Sequence, residues 1–279
     1  MRNISVDKIY RAVYDGTLQA NFRLPFTVKT LIRRARNAET SGQARQGFDC
    51  IIANFIAAEK ETIPICQDTG LTVVMIEIGQ SVRLTGGDLR RTVDKAVADA
   101  TKDGHLRASV VSDPLIRANT GTNTPCVLHT SIVPGEKIRI TVMPKGGGAE
   151  NMSFVRMLPP SVTREEIEDI VVESVRKAGT NPCPPVVVGI GLGGNFEQCA
   201  MLAKKALLRE KPNRDKNYGR MEKSVKKKID KLKIGPQVPG GGKTTALAVR
   251  IETAACHIAS LPLAVNINCH VSRWKKIII

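Results

Sequence analysis

Ile65-Cys66-Gln67-Asp68-Thr69-Gly70 crowds a thiol, a carboxamide, a carboxylate and a hydroxyl into one short run behind Pro64. A thiolate binds soft metals, and a carboxylate beside it can move a proton or accept hydrogen bonds. The same residue types also build turns and helix caps, so this string alone leaves both readings open. Asn181-Pro182-Cys183-Pro184-Pro185 fixes a second thiol between prolines, which suits a metal ligand and equally a stiff loop. A third group follows Cys256-His257, where Asn266-Ile267-Asn268-Cys269-His270 sets two amides, a thiol and an imidazole near a strand end. Such groups are costly to bury unless they are used.

The other thiols are Cys50, Cys126, Cys199 and Cys256, making seven in all. The odd count argues against a disulfide framework, and no C-x-x-C pair is present for a zinc ribbon or a local ferredoxin-type cluster. Any metal held by these thiols has to be gathered by the fold from distant segments.

Two glycine motifs invite a nucleotide reading and fail it. Gly189-x-Gly191-x-x-Gly194 lies between an apolar run and a helical one, but the chain then enters a Lys-rich stretch, not a second strand ending in an acidic residue. Gly242-Lys243-Thr244 is similar to the end of a P-loop, yet Gln237 stands where the first glycine belongs, and Lys233 to Pro239 is turn-rich, not a strand.

Taken in order, CQDTG (66–70), DPLIRANTGTNTP (113–125), KGGGAEN (145–151), NPCPPVVVGIGLGGN (181–195), GKTTALAV from 242 and HIASLPLAVNINCH to 270 resemble the iron–sulfur hydro-lyases of the class I fumarate hydratase and L-tartrate dehydratase type. More narrowly, the chain resembles the separate α subunit of the two-subunit form, from about residue 5 to 274.

The resemblance implies a [4Fe–4S] cluster held by Cys66, Cys183 and Cys269, with one iron open to substrate as a Lewis acid. Cys50 and Cys199 are then structural thiols in helices; Cys126 and Cys256, beside motif residues, are the nearest competitors for the ligand role. It implies reversible addition or removal of water on a C4 dicarboxylate, fumarate/malate first and L-tartrate as the alternative. Loss of a proton beside a carboxylate builds extra negative charge, which cations and hydrogen-bond donors must stabilise. By the same resemblance Gln67 and Asp68 contact substrate, Asp68 carries a proton, Arg107 grips a carboxylate, Gly147 and Gly148 offer backbone N–H groups, and His257 contacts substrate as a second catalytic residue. Single-chain relatives carry further arginines, a lysine and a proposed base in a second domain. A β subunit completing the site, in an α2β2 assembly, is therefore expected.

The elements that must position these groups read as an α+β fold: an N-terminal helical layer on short strands, with the cluster loops at one edge, in a single domain over 1–279. Val6, Ile9, Tyr10 and Val13 recur at helical spacing, and Thr27–Ala38 and Gly47–Lys60 repeat the habit. Thr72–Ile78 is a buried strand; Thr85 caps a helix reaching Asp103. Val127–Ile132 and Lys137–Val142, split by Pro134-Gly135, read as a β-hairpin. Thr163 and Glu166 form a capping box for a helix to about Ala178. Val186–Ile190 is a strand, Asn195–Arg209 a helix, and Thr244–Ile251 and the run from Pro262 are strands.

With 279 residues, 42% of them apolar, the chain builds a real core, and disordered or fibrous classes are excluded. The net charge of +16 implies an anionic partner, and Lys204–Lys233 alone holds thirteen basic residues against four acidic ones. A solvated helical face explains that stretch better than nucleic acid, since Tyr218 is its sole aromatic residue. The stretch and the Trp274-Lys275-Lys276 tail are less typical of the family and would suit an acidic β subunit. No apolar run reaches the roughly 20 residues that a bilayer demands, and Asp7 argues against a signal peptide, so a cytoplasmic protein is expected. Two competing classes stand beside the enzyme: a basic nucleic-acid-binding module, and a structural iron–sulfur or chaperone-like subunit without turnover.

Overall fold

The structure, a computed structural model, describes residues 1–236 and 241–279. In chain order the elements are β1 (Arg2–Ser5), α1 (Val6–Phe22), α2 (Phe26–Ala38), α3 (Gly42–Glu61), β2 (Leu71–Gly79), β3 (Val82–Thr85), α4 (Leu89–Asp103), β4 (Val127–Val133) and β5 (Ile138–Lys145). They continue with α5 (Gly147–Glu150), β6 (Phe154–Leu158), α6 (Arg164–Ala178), β7 (Val186–Gly193), α7 (Phe196–Ala206), α8 (Lys216–Asp230), β8 (Ala246–Ala254), β9 (Leu261–Asn268) and β10 (Lys275–Ile278). The fold is α+β. It divides into two compact units, the first made of Met1–Pro25, Asn54–Gly147 and Arg273–Ile279, the second of Phe26–Ala53 and Gly148–Ser272.

In the first unit a four-stranded sheet runs β10-β5-β2-β4. The apolar spacing of α1 lands as its sequence dictates: Val6, Ile9 and Val13 are buried, and Tyr10 instead donates its hydroxyl to Asp99 Oδ2 at 2.7 Å. Ile9 and Val13 join Val93 and Val97 of α4 and Val74, Ile138 and Ile140 of the sheet in one core. The Pro134-Gly135 segment does not close a hairpin, because β2 lies between the two strands, parallel to β4 and antiparallel to β5. The end of β2 captures the turn itself: Ser81 N–H donates to Gly135 O at 3.0 Å and Gln80 N–H to Val133 O at 2.8 Å. Thr85 ends β3, and the α4 cap is Asp88, whose side chain accepts from Arg91 N–H. Trp274 is buried, and Lys275–Ile278 is built into the sheet as β10 against β5.

The second unit carries the sheet β6-β9-β7-β8. Val188, Ile190, Val249, Ile251, Val265 and Ile267 bury one face against Val171 and Val175 of α6 and Val225 and Ile229 of α8. The Thr163–Glu166 capping box opens α6. The Lys-rich stretch contains α8, capped by Asp215, with Met221, Val225 and Ile229 inward. Its lysines pair at the surface, Lys226 with Asp230 at 2.6 Å and Lys228 with Asp169 at 2.7 Å. The expected N-terminal helical layer is shared out: α1 packs on β5 of the first unit and α2 on β8 of the second. Among the described residues no helix is long and apolar enough to cross a membrane.

Candidate active site

The Cys66–Gly70 turn of the first unit joins α3 to β2, and its entry is fixed from both sides. Ile65 N–H donates to Asn21 O at 3.0 Å, and Asn54 Nδ2 donates to Ile65 O at 2.9 Å. Asp68 accepts Gly70 N–H at Oδ1 (3.0 Å) and Gly147 N–H at Oδ2 (2.8 Å). Its main-chain carbonyl accepts from the buried Arg273 guanidinium. Thr69 Oγ1 donates to Arg107 O at 2.7 Å, tying the turn to the segment that carries the arginine. Buried Asn123 completes the frame: its Nδ2 donates to Gly70 O at 3.0 Å and its Oδ1 accepts from Ser109 N–H at 3.0 Å.

The first unit therefore gathers Gln67, Asp68, Arg107 and the Gly147 amide around one turn, with the Gln67 and Arg107 residues exposed. The turn that aims the Asp68 carboxylate is bonded through Thr69 to the main chain of exposed Arg107, and a guanidinium is the group that suits a small anionic substrate. The Gly147 N–H, expected to face a substrate anion, is engaged by the chain's own Asp68 carboxylate.

In the second unit β7 and β9 are antiparallel, with Val187 opposite Asn268, so the loop before β7 and the residues after β9 meet at one end of the sheet. Those segments carry Cys183 and Cys269. Cys183 stands at φ +51, a left-handed conformation unusual for a residue with a Cβ. Its carbonyl accepts His270 N–H at 3.3 Å and lies 2.9 Å from His270 Nδ1. A carbonyl only accepts, so Nδ1 carries the proton. Burial pushes the His270 imidazole below its ordinary pKa, against the opposing effect of the Cys183 hydrogen bond. Gly148 abuts the same loop, since a Cβ there would stand 3.2 Å from Asn181 O. Glu150, close by in sequence, accepts from Asn266 Nδ2 at 2.9 Å and pairs with Lys204.

His257 is not part of this gathering. It lies in the exposed loop before β9, whereas Cys269 follows β9, and an eight-residue strand separates their ends by roughly 25 Å. Ala259 N–H donates to His257 Nδ1 at 3.1 Å, so the neutral ring presents Nε2–H as a donor.

Burial sorts the seven thiols. Cys50 and Cys256 are exposed, Cys126 and Cys199 are buried, and Cys66, Cys183 and Cys269 are half-buried. Burial pushes the Cys126 thiol up to about 12, helped by a hydrogen bond with Asp94, and the Cys199 thiol up to about 11. Those two hold their protons, and Cys199 Sγ lies 3.1 Å from Gly191 O as a donor. Cys50, expected as a packed structural thiol, sits on α3 but faces solvent. Cys66 in the first unit, and Cys183 and Cys269 in the second, are thus neither deeply buried nor open to bulk solvent, and thiols are the ligand type that an iron–sulfur group takes. Among the described residues no group of three or more His, Cys, Asp or Glu side chains is disposed to hold a single metal ion.

The structure explains both misleading glycine motifs. A Cβ on Gly189 would stand 2.2 Å from Ala203 O, and one on Gly191 2.1 Å from Cys199 O, so these glycines let the α7 backbone settle on β7. In the GKT segment, buried Glu39 accepts Lys243 N–H at 2.9 Å and Thr244 N–H at 3.0 Å, and its carboxylate sits where a phosphate would. Gln237 and the turn-rich run to Pro239 fall partly in 237–240, outside the described residues. Sequence reasoning passed over Asn123, Arg273 and His270. Asn123 and His270 belong to the polar motif strings and Arg273 lies three residues beyond the last of them, but their partners are remote in sequence.

The sequence matches the fumarate hydratase (fumerase) family over residues 10–278. It is 38% identical over 276 residues to the Methanocaldococcus jannaschii protein named "Putative L(+)-tartrate dehydratase subunit alpha", covering 95% of each chain. It is 30% identical over 274 residues to proteins named L(+)-tartrate dehydratase subunit alpha from Escherichia coli K12 and Shigella sonnei, covering 96% of this chain and 90% of each relative. The family match over residues 10–278 and the near-complete coverage in both directions show that the chain belongs to the fumarate hydratase family and is a hydro-lyase.

Proposed function

We propose that this chain is the α subunit of a [4Fe–4S]-dependent hydro-lyase that reversibly adds or removes water on a C4 dicarboxylate. The observation that carries the reading is the sorting of the thiols: the three that are half-buried are the three in the family's motif turns, Cys66, Cys183 and Cys269. They would hold the cluster, which supplies a Lewis-acidic iron for the substrate's hydroxyl and carboxylate when bound.

Around it, the Arg107 guanidinium neutralises a substrate carboxylate, and the Gln67 carboxamide orients it. Asp68, its two oxygens already aimed by Gly70 and Gly147, takes or returns the proton of the departing water. By the resemblance, the Gly147 and Gly148 N–H groups would serve the charge that develops beside the carboxylate, the Gly147 N–H exchanging Asp68 for substrate. His257 enters this reading through the resemblance alone, as an Nε2–H donor to substrate.

The relatives' names include "subunit alpha", which supports a β subunit as partner and a shared site; an α2β2 assembly and a cytoplasmic location complete the proposal. Residues 1–279 act in it as one functional domain. Fumarate/malate is the substrate pair drawn from the sequence, and the relatives' names favour L-tartrate as a second reading on equal terms.

Anaerobic reconstitution of the chain, alone and with its partner, followed by turnover assays on fumarate, malate and L-tartrate, tests the reading. Iron uptake with turnover only in the pair is expected. Full activity from the single chain would remove the partner, and a chain that takes up no iron would remove the cluster.

A further inference from the structure

The register of β7 against β9 brings two thiol-bearing segments to one end of a sheet, but register alone does not orient their side chains. Cys183 precedes β7 in an irregular loop, fixed at φ +51 between Pro182 and Pro184. An L-residue in the left-handed region stays there only if its surroundings hold it. Cys183 N–H donates to Thr180 O at 3.0 Å, which secures the upstream side. On the other side stands His270, the residue after Cys269.

We infer that His270 is a positioning residue: by placing both its main-chain N–H and its Nδ1–H on the Cys183 carbonyl, it locks the left-handed turn and couples the Cys183 loop to the Cys269 segment. This rests on the reading of Cys183 and Cys269 as cluster ligands, and deepens it. A side chain that merely filled space would need no such pair of bonds. Two donors on one carbonyl, the main-chain N–H and the side chain of a residue adjacent to the other thiol, tie the two ligand segments together before any metal arrives. Outer partners that orient metal ligands are worth about 10–100-fold in metal affinity, which sets the size of effect to look for.

The experiment compares wild type, His270→Leu and His270→Asn in the full chain with its partner, reconstituted anaerobically with ferrous iron and sulfide. The readouts are iron and sulfide bound per chain, the rate of iron loss to a chelator, the electron paramagnetic resonance signal of the reduced cluster, and urea unfolding of the metal-free chain. Asn keeps an N–H donor near the position of Nδ1, and Leu does not. The expected result is iron release at least tenfold faster in His270→Leu, with an altered resonance signal, and recovery of most of the wild-type behaviour in His270→Asn.

Equal iron retention in wild type and His270→Leu would overturn the positioning role while leaving the cluster in place. Equal losses in both variants, tracking their loss of metal-free stability, would also overturn it, by reducing His270 to a core residue. A wild-type chain that binds no iron would overturn the cluster reading and this inference with it.

Discussion

Asp68 Oδ2 accepts the Gly147 amide at 2.8 Å, joining a carboxylate before β2 to a glycine after β5. The β2–β5 register, which pairs Leu71 with Lys145, delivers both partners to the same sheet end. Asp68→Asn leaves one acceptor for two amide donors, so one N–H group loses its partner. The expected cost is about 1 kcal/mol in stability, read as a lower urea midpoint. Turnover of the assembled enzyme should fall about 10²–10⁴-fold if Asp68 moves the proton. An unchanged kcat would strip it of that role.

The buried thiols set the alkaline limit. Cys126 and Cys199 ionise in the folded chain at about 12 and about 11, against an ordinary value of 9.0. In the unfolded chain both lose protons above that value while the folded chain keeps them, so the folded state binds more protons. Their contribution is fully present below pH 9.0 and falls as pH rises through the folded values. Urea midpoints measured up the alkaline range should decline, and Cys126→Ala should flatten the decline. A slope identical in wild type and Cys126→Ala would refute the assignment.

Thiol labelling tests the sorting directly. Near neutral pH iodoacetamide should modify Cys50 and Cys256 in the native chain, and reach Cys126 and Cys199 only on unfolding. Mass spectrometry of a time course reads the order; early modification of Cys199 would contradict its burial.

Gly191→Ala drives a Cβ to 2.1 Å from Cys199 O, a backbone atom of α7 that has no rotamer to yield. A loss of about 1–3 kcal/mol or more is expected, with no change in response to dinucleotides, because the wild type should show no thermal shift with them. Stabilisation of the wild-type chain by NAD would restore the fingerprint to function.

Glu39→Gln tests the other glycine motif. The amide side chain offers one acceptor where two buried-loop donors, Lys243 N–H and Thr244 N–H, now share a carboxylate. The expected cost is about 1–3 kcal/mol in chemical denaturation. A variant as stable as wild type would show that the clip holds nothing.

The sequence by itself determined the helices, since periodic apolar residues such as Ile9 and Val13 and local caps such as Thr163 with Glu166 act within a few positions along the chain. It also marked the polar strings that hold Cys66, Asp68, Cys183 and Cys269, because such residue types are rarely crowded together without use. Only the tertiary structure decided what those strings touch. Strand order is a long-range outcome: Pro134-Gly135 had every local mark of a hairpin, yet β2 lies between the two strands and pairs one backbone edge with β4 and the other with β5. Burial likewise distinguishes Cys50 from Cys199, two helical thiols alike on paper, because exposure depends on what packs against a helix. The Asn123, Arg273 and His270 contacts were equally hidden, for a hydrogen bond between residues far apart in sequence leaves no spacing to read. His257 shows the same limit: the resemblance marks it as a substrate contact, but only the fold shows that the extended length of β9 separates it from Cys269.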